Sequence, residues 1–246
     1  MKNPKIDHAM ILAAGLGKRM RPLTETRPKP LVELAGRTLL DRALDHLAVA
    51  GIGKIVVNSH YLGDMIAAHL AGRAGIALSP ETALLETGGG VKAALPLLGK
   101  QPFLVINSDA IWSDGQIPAL TRLVRAWDEA AMDALLLLHP TVACGAVHDS
   151  GDYHMETDGR LRRRIEGEIA PFVFTGIQIL HPRLFRDTPD GAFSLNLLYD
   201  RAQEAERLFG LRHDGEWFHV GTPRELDATE SLFLGKRDPR EFWVRK

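Results

Sequence analysis

The chain has 246 residues, 45% of them hydrophobic and 25% charged, which excludes a disordered chain, a collagen and a disulfide scaffold. Lys and Arg total 30 against 31 Asp and Glu, for a formal net charge of −1. The basic excess of a dedicated nucleic-acid binder is missing, although the balance leaves room for a local cationic pocket that takes a phosphorylated small molecule. The single cysteine, Cys144, permits no intramolecular disulfide and fits a reducing compartment. With no helix start or paired His beside it, Cys144 reads as a small buried residue rather than a reactive thiol. No apolar run reaches the length of a membrane span. Residues 1–7 are charged and lack the apolar stretch of a signal peptide, so the expectation is a cytoplasmic protein with no membrane partner.

In chain order, the apolar run over residues 8–13, ending at Gly15, predicts a buried strand. A loop rich in Gly, Pro and Arg continues to about Pro30. Thr38 can cap a helix in which Leu39, Leu40, Ala43, Leu44 and Leu47 recur at helical spacing, and Gly51 and Gly53 stop it. Strands are expected over residues 54–58, 75–79, 102–107 and 133–139, with helices over 61–70, 89–98 and 117–129 between them. This alternation predicts an α/β fold: a Rossmann-like, mostly parallel sheet covered by helices on both faces. Right-handed crossovers then put the strands' carboxyl ends, where ligands bind, along one edge.

After His139 the pattern changes. Short strands are expected over 152–156 and 160–165, separated by Asp158-Gly159, which reads as antiparallel. A strand over 172–180, a helix over 196–207, a strand over 217–220 and a helix over 223–234 follow. There is no repeat, low-complexity segment or linker. The chain therefore reads as one domain, 1–246, with a first half of about 1–139 and a small antiparallel extension of about 140–246 beside a shared cleft. The aromatic tail Phe242-Trp243 is either an interface or a segment folded back on its own domain.

The strongest motif is Leu12-Ala-Ala-Gly-Leu-Gly-Lys-Arg-Met-Arg-Pro-Leu-Thr24, directly after the first strand. Small residues at Ala13, Ala14, Gly15 and Gly17 let backbone N–H groups approach phosphate oxygens. Lys18, Arg19 and Arg21 add positive charge, and Lys29 adds more on a segment stiffened by Pro28 and Pro30. No G-K-[ST] closes the loop as in a Walker A motif, and Met20 stands where a dinucleotide fingerprint needs its third Gly. Asp109, at the end of a predicted strand, suits Mg²⁺, which takes one or two carboxylates together with phosphate oxygens and water. Its plainer reading is a helix cap.

The 12–24 run followed by Pro28-Lys-Pro-Leu31 resembles the signature of the sugar-1-phosphate nucleotidyltransferases. The resemblance recurs at Glu86-Thr-Gly-Gly-Gly90, Asn107-Ser-Asp109, Phe174-Thr-Gly-Ile177 and Trp217-Phe-His-Val-Gly-Thr222, nearly end to end. Among the branches it is most similar to the one that moves UMP from UTP to N-acetylmuramate 1-phosphate in cell-wall recycling. The alternatives are another pair, such as GTP with mannose 1-phosphate, or a nucleotide-sugar-binding regulatory subunit without turnover.

The resemblance implies a nucleotide-binding first half and a sugar-binding second half. Arg19 would hold the leaving pyrophosphate, and Lys29 would bridge the α-phosphate and the sugar phosphate. Leu12, Ala13, Ala14, Gly15, Gly17, Glu81 and Gly88 would contact the nucleotide. Glu81 stands where many relatives carry Gln, and an exposed turn residue is its other reading; Glu86 stands where most carry Gly. Gly151, Glu166 and Thr175 would meet the sugar phosphate, with a turn, a solvated strand residue and strand packing as their plainer readings. The run Arg160-Leu-Arg-Arg-Arg164 could attract a carboxylate or a phosphate, or form one face of an edge strand in water. Asp109 would hold metal; His219, which replaces the family's usual Asp, would bind metal, bind phosphate when protonated, or only fill space. Because imidazole suits Mn²⁺ or Co²⁺ better than Mg²⁺, the implied cofactor is Mg²⁺, with Mn²⁺ or Co²⁺ open. The implied partners are a nucleoside triphosphate and a sugar 1-phosphate.

Overall fold

The computed structural model describes residues 5–144 and 150–235; the Phe242-Trp243 tail lies outside them. The first half runs β1 (His8–Leu12), β2 (Glu33–Leu34), β3 (Arg37–Thr38), α1 (Leu39–Val49), β4 (Lys54–Ser59), α2 (Gly63–Leu70), β5 (Ile76–Pro80), α3 (Glu86–Leu98), β6 (Phe103–Asn107), β7 (Ala110–Trp112), α4 (Ala119–Ala126) and β8 (Ala134–Pro140). The second half runs β9 (Tyr153–Met155), β10 (Leu161–Arg163), β11 (Phe172–Leu180), α5 (Asn196–Glu204), β12 (Leu208–Arg212), β13 (Trp217–His219) and α6 (Pro223–Phe233).

β1 lies between β4 and β6, parallel to both, and β5 extends the sheet beyond β4. β11 runs antiparallel to β6 along one edge and to β8 along the other, so a single sheet spans both halves of the chain. β9 meets the start of β11, and β10 pairs with β9. The sequence pattern carried the α5 helix to 207 and left residues 208–212 without an element; the structure ends the helix at Glu204 and makes β12 a strand parallel to β8. The turn between them needs a positive φ at Glu206. Arg207 then fixes the strand start by ion-pairing with Asp133 at 2.8 Å while its carbonyl accepts from the Asp133 N–H.

The period of two along the strands divides the core. Ile11 and Ile106 face Leu40 and Leu47 of α1, Ile66 of α2 and Leu123 of α4. Met10 and Val105 face the opposite way, toward Val91 and Leu98 of α3 and Leu198 of α5. Thr38 caps α1 as expected, its hydroxyl accepting from the Asp41 N–H at 3.0 Å. A third cluster gathers Met20, Val32, Leu39, Ile111, Val220 and Leu226. It packs the glycine-rich loop and the start of α6 against β7 and the start of α1. Met20 is fully buried there, which is the packing reason for a large residue in a glycine-rich loop; burying it contributes about 2 kcal/mol. Cys144 is buried as expected. Burial, with Asp152 nearby, pushes its thiol up to about 12, so it is not a nucleophile near neutral pH.

Candidate active site

A cavity of about 400 Å³ opens at the carboxyl ends of β1, β4 and β6. One wall is Leu12, Ala13, Ala14 and Gly15, the end of β1 and the turn beyond it. A Cβ built on Gly15 would meet nothing within 4 Å, so the backbone there faces open space, as a close approach to a ligand requires. Lys29 and Asp109 form the charged end of the cavity and pair with each other, Lys29 Nζ donating to Asp109 Oδ2 at 2.6 Å. Burial alone would raise the Asp109 carboxyl. The Lys29 charge and hydrogen bond, with the charge of nearby His219, outweigh burial and hold it below the ordinary carboxylate range.

His219 reaches this region through a two-stranded ribbon. β13 pairs antiparallel with β7, so His219 sits opposite Ala110, one residue past Asp109. Arg19 Nη2 lies 3.5 Å from His219 Nε2. A Cβ on Gly221 would come within 2.5 Å of His219 Nε2 and 3.1 Å of the Arg19 guanidinium, so this glycine leaves the pair its room. The structure thus gathers Arg19, Lys29, Asp109 and His219, three of them cationic or protonatable, around one carboxylate. No group of three or more His, Cys, Asp or Glu forms a metal cage among the described residues. One hard carboxylate and one imidazole still suit a divalent ion that draws its remaining oxygens from phosphates and water.

Other expected nucleotide contacts stand behind the wall. Both carboxylate oxygens of Glu81 are engaged, one by Asn58 Nδ2 at 2.7 Å and the other by the Leu85 N–H at 3.0 Å. Asn58 in turn accepts from the Ala13 N–H at 2.7 Å. Gly88 packs against Phe193: its N–H donates to the Phe193 carbonyl at 2.8 Å, and a Cβ there would fall 2.4 Å from the Phe193 ring. At Gly17, with a φ of 60°, the carbonyl accepts from the Thr24 hydroxyl at 2.8 Å. Asn58 and Ser194, which sequence reasoning missed, also line the cavity, as do Thr87 and Asn107, which it quoted in motifs without a role. Asn58 and Asn107 carried a usable signal, a polar residue at the carboxyl end of a buried apolar strand.

A second cavity, also about 400 Å³, is lined by Asp152, Arg163, Arg164, Glu166, Phe174 and Asn196. It adjoins the first across the start of α5, where Ser194 lines one cavity and Asn196 the other and the Asn196 N–H donates to Ser194 Oγ at 3.2 Å. Glu166 is exposed at its rim. Gly151, at a φ of 61°, gives its carbonyl to Arg164 Nε at 2.7 Å. Thr175 is buried in β11, its hydroxyl donating to the Leu137 carbonyl at 2.8 Å.

Residues 8–148 match the nucleotidyl transferase family, and the chain belongs to it. Within that family it is 45% identical to the N-acetylmuramate alpha-1-phosphate uridylyltransferase of Caulobacter vibrioides, over 93% of this chain and 96% of the relative. It is 37% identical to the protein of the same name from Neisseria meningitidis serogroup B, over 91% and 97%. A mannose-1-phosphate guanyltransferase of Aspergillus fumigatus is 28% identical over 92% of this chain but only 64% of the relative. The fold matches a UDP-glucose pyrophosphorylase solved with UDP-glucose, with a TM-score of 0.77 and 15% identity over 95% of this chain and all of that one. It also matches HddC from Yersinia pseudotuberculosis, with a TM-score of 0.74 and 21% identity over 93% and 100%.

Proposed function

We propose that this enzyme transfers UMP from UTP to N-acetylmuramate 1-phosphate, releasing pyrophosphate. A phosphate oxygen of the sugar phosphate attacks the α-phosphorus of UTP in line. The bond from that phosphorus to the bridging oxygen breaks, and pyrophosphate leaves with the electron pair. The nucleophile is already an anion, so no strong general base is required. The task is to collect negative charge and align it. The observation that carries the reading is the Lys29–Asp109 pair at the end of a cavity walled by the Leu12, Ala13, Ala14 and Gly15 backbone.

In this reading Lys29 exchanges part of its contact with Asp109 for the α-phosphate and the sugar phosphate, and Arg19 neutralises the leaving pyrophosphate. Asp109, with His219, would hold a divalent ion, Mg²⁺ above all, which supplies further positive charge to the phosphates. Gly17, Glu81 and Gly88 support the nucleotide side. The sugar lies toward the second cavity, where Glu166 accepts from its hydroxyls and the Gly151 turn and the β11 strand around Thr175 shape the site. The work divides between a nucleotide half, about 1–139, and a sugar half, about 140–246. UTP as substrate puts the reaction in the cytoplasm, and the sugar puts it in peptidoglycan recycling.

Pyrophosphate release tests the reading, with UTP, GTP, CTP and dTTP each paired with a panel of sugar 1-phosphates. Release from UTP with N-acetylmuramate 1-phosphate is expected. A preference for GTP with mannose 1-phosphate would move the substrate, and no release from any pair would favour a regulatory subunit.

A further inference from the structure

The run Arg160-Leu-Arg-Arg-Arg164 contains one cation unlike the rest. Arg160 pairs with Asp158 at 2.8 Å and Glu206 at 3.0 Å, Arg162 with Glu168 at 2.8 Å and Arg163 with Asp200 at 2.8 Å. Arg164 has no carboxylate within ion-pair distance among the described residues. Its Nε is spent on the Gly151 carbonyl, 2.7 Å away. Its Nη groups have no hydrogen-bond partner among the described residues, and the half-buried Arg164 lines the second cavity. The anchor is closely packed: a Cβ on Gly151 would fall 2.2 Å from the Ala170 carbonyl oxygen, and the Thr141 hydroxyl donates to that same oxygen at 2.9 Å. Of the two acids on the cavity wall, Asp152 turns toward β11, where its Oδ2 accepts from the Phe174 N–H at 2.8 Å. Glu166 stays exposed at the rim.

A guanidinium with one edge fixed and its Nη pair open is shaped for a planar oxyanion held by two hydrogen bonds. The phosphates of both substrates are already matched by Arg19, Lys29 and the region of Asp109. N-acetylmuramate differs from N-acetylglucosamine by a lactyl ether, which carries a carboxylate. Resting on the function proposed above, we infer that Arg164 binds the lactyl carboxylate of the sugar 1-phosphate and sets the preference for an acidic sugar.

The test compares N-acetylmuramate 1-phosphate with N-acetylglucosamine 1-phosphate, which keeps the phosphate and lacks the carboxylate. Arg164→Gln preserves a donor for the Gly151 carbonyl and removes the charge; Arg164→Lys keeps the charge and loses the fork. Calorimetric binding of each sugar phosphate, without nucleotide, and kcat/KM for each with UTP are measured on protein whose circular dichroism matches the parent. Losing a charged hydrogen bond should shrink the parent's preference for the acidic sugar by about 10- to 100-fold in Arg164→Gln. Arg164→Lys should recover part of it. A purely structural role would weaken both sugars alike and leave their ratio intact, which overturns the assignment, as does a parent that binds the two sugars equally. The binding ratio decides this even if no turnover is found, whereas absent turnover strikes only the proposed function.

Discussion

Glu86 shows most directly what one residue costs. It opens α3 at a φ of 57°, in the left-handed region, and lines the cavity. The Gly that the family resemblance implies at this position would thus have a backbone cause, since a side chain there costs about 1 kcal/mol or more. Glu86→Gly should hold or raise stability by up to about 1 kcal/mol, the gain being reduced by the greater freedom of Gly in the unfolded chain. Glu86→Val should lose about 1–2 kcal/mol, because branching at Cβ crowds the same conformation. Urea midpoints of the three proteins decide it, and equal midpoints for Gly and Val would refute the strain. For the charged cluster, Asp109→Ala should abolish pyrophosphate release with any metal, because it removes the one carboxylate at the charged end. His219→Asp exchanges an imidazole for a hard oxygen donor and should shift metal preference toward Mg²⁺ and away from Mn²⁺ or Co²⁺. Metal titrations read it; an unaltered profile would mean that His219 touches phosphate or water instead.

Among the elements, β1, β4 and β5 are tied at their carboxyl ends by a relay of polar groups. The Ala13 N–H gives to Asn58, Asn58 to Glu81, and the Leu85 N–H to the other oxygen of Glu81. The acceptor that the Ala13 N–H requires fixes the orientation of the Asn58 amide, so its Nδ2 must face Glu81. Glu81 then receives two donors, which a carboxylate can do with both oxygens and a carboxamide cannot. Glu81→Gln should turn an amide against a buried donor and cost about 1–3 kcal/mol of stability. It should also raise KM for UTP more than it lowers kcat, because the wall around Ala13 loses its support while Lys29 and Asp109 stay in place. Chemical denaturation and steady-state kinetics check the two effects; a fall in kcat alone would contradict the supporting role.

Across the whole molecule, the second half is held to the first by β11, and the same joint contains a pH-sensitive point. His139, at the end of β8, is 4% exposed, and neither of its ring nitrogens has a hydrogen-bond partner. The rings of His213 and Trp217 lie 5.9 and 6.1 Å away. Burial first, then the charges of His213 and Arg212, lower its pKa to about 4. Between pH 6.5 and about 4 the unfolded chain takes up a proton at this histidine and the folded chain does not, so stability rises with pH across that window. Lowering the pH from 7.5 to 5 should therefore cost about 2 kcal/mol through His139 alone, with His213, also lowered by burial, adding to the slope. Urea unfolding of the parent and His139→Phe at both pH values measures it. The same pH dependence in both proteins would place its origin elsewhere.

Alternating apolar strands and amphipathic helices determined the layered sheet from the sequence, because burial of a strand face and a helix stripe is a local pattern in the residues. The glycine-rich loop with its cations and the placement of Asp109 after a strand were legible for the same reason: each is a short, contiguous signal. Residues 208–212 were not, since their five positions carry no strong alternation and become a strand only beside β8. Glu81 is another case. Its two donors come from β4 and the start of α3, 23 and 4 residues away, and no spacing rule encodes such a meeting. Nor could the Arg160-Leu-Arg-Arg-Arg164 pattern tell which arginine lacks a carboxylate among the described residues. Partners for that run come from the α5 region, from its own turns and from the Gly151 carbonyl. Ion pairing is a matter of distance in space, and packing of the second half against the sheet sets those distances.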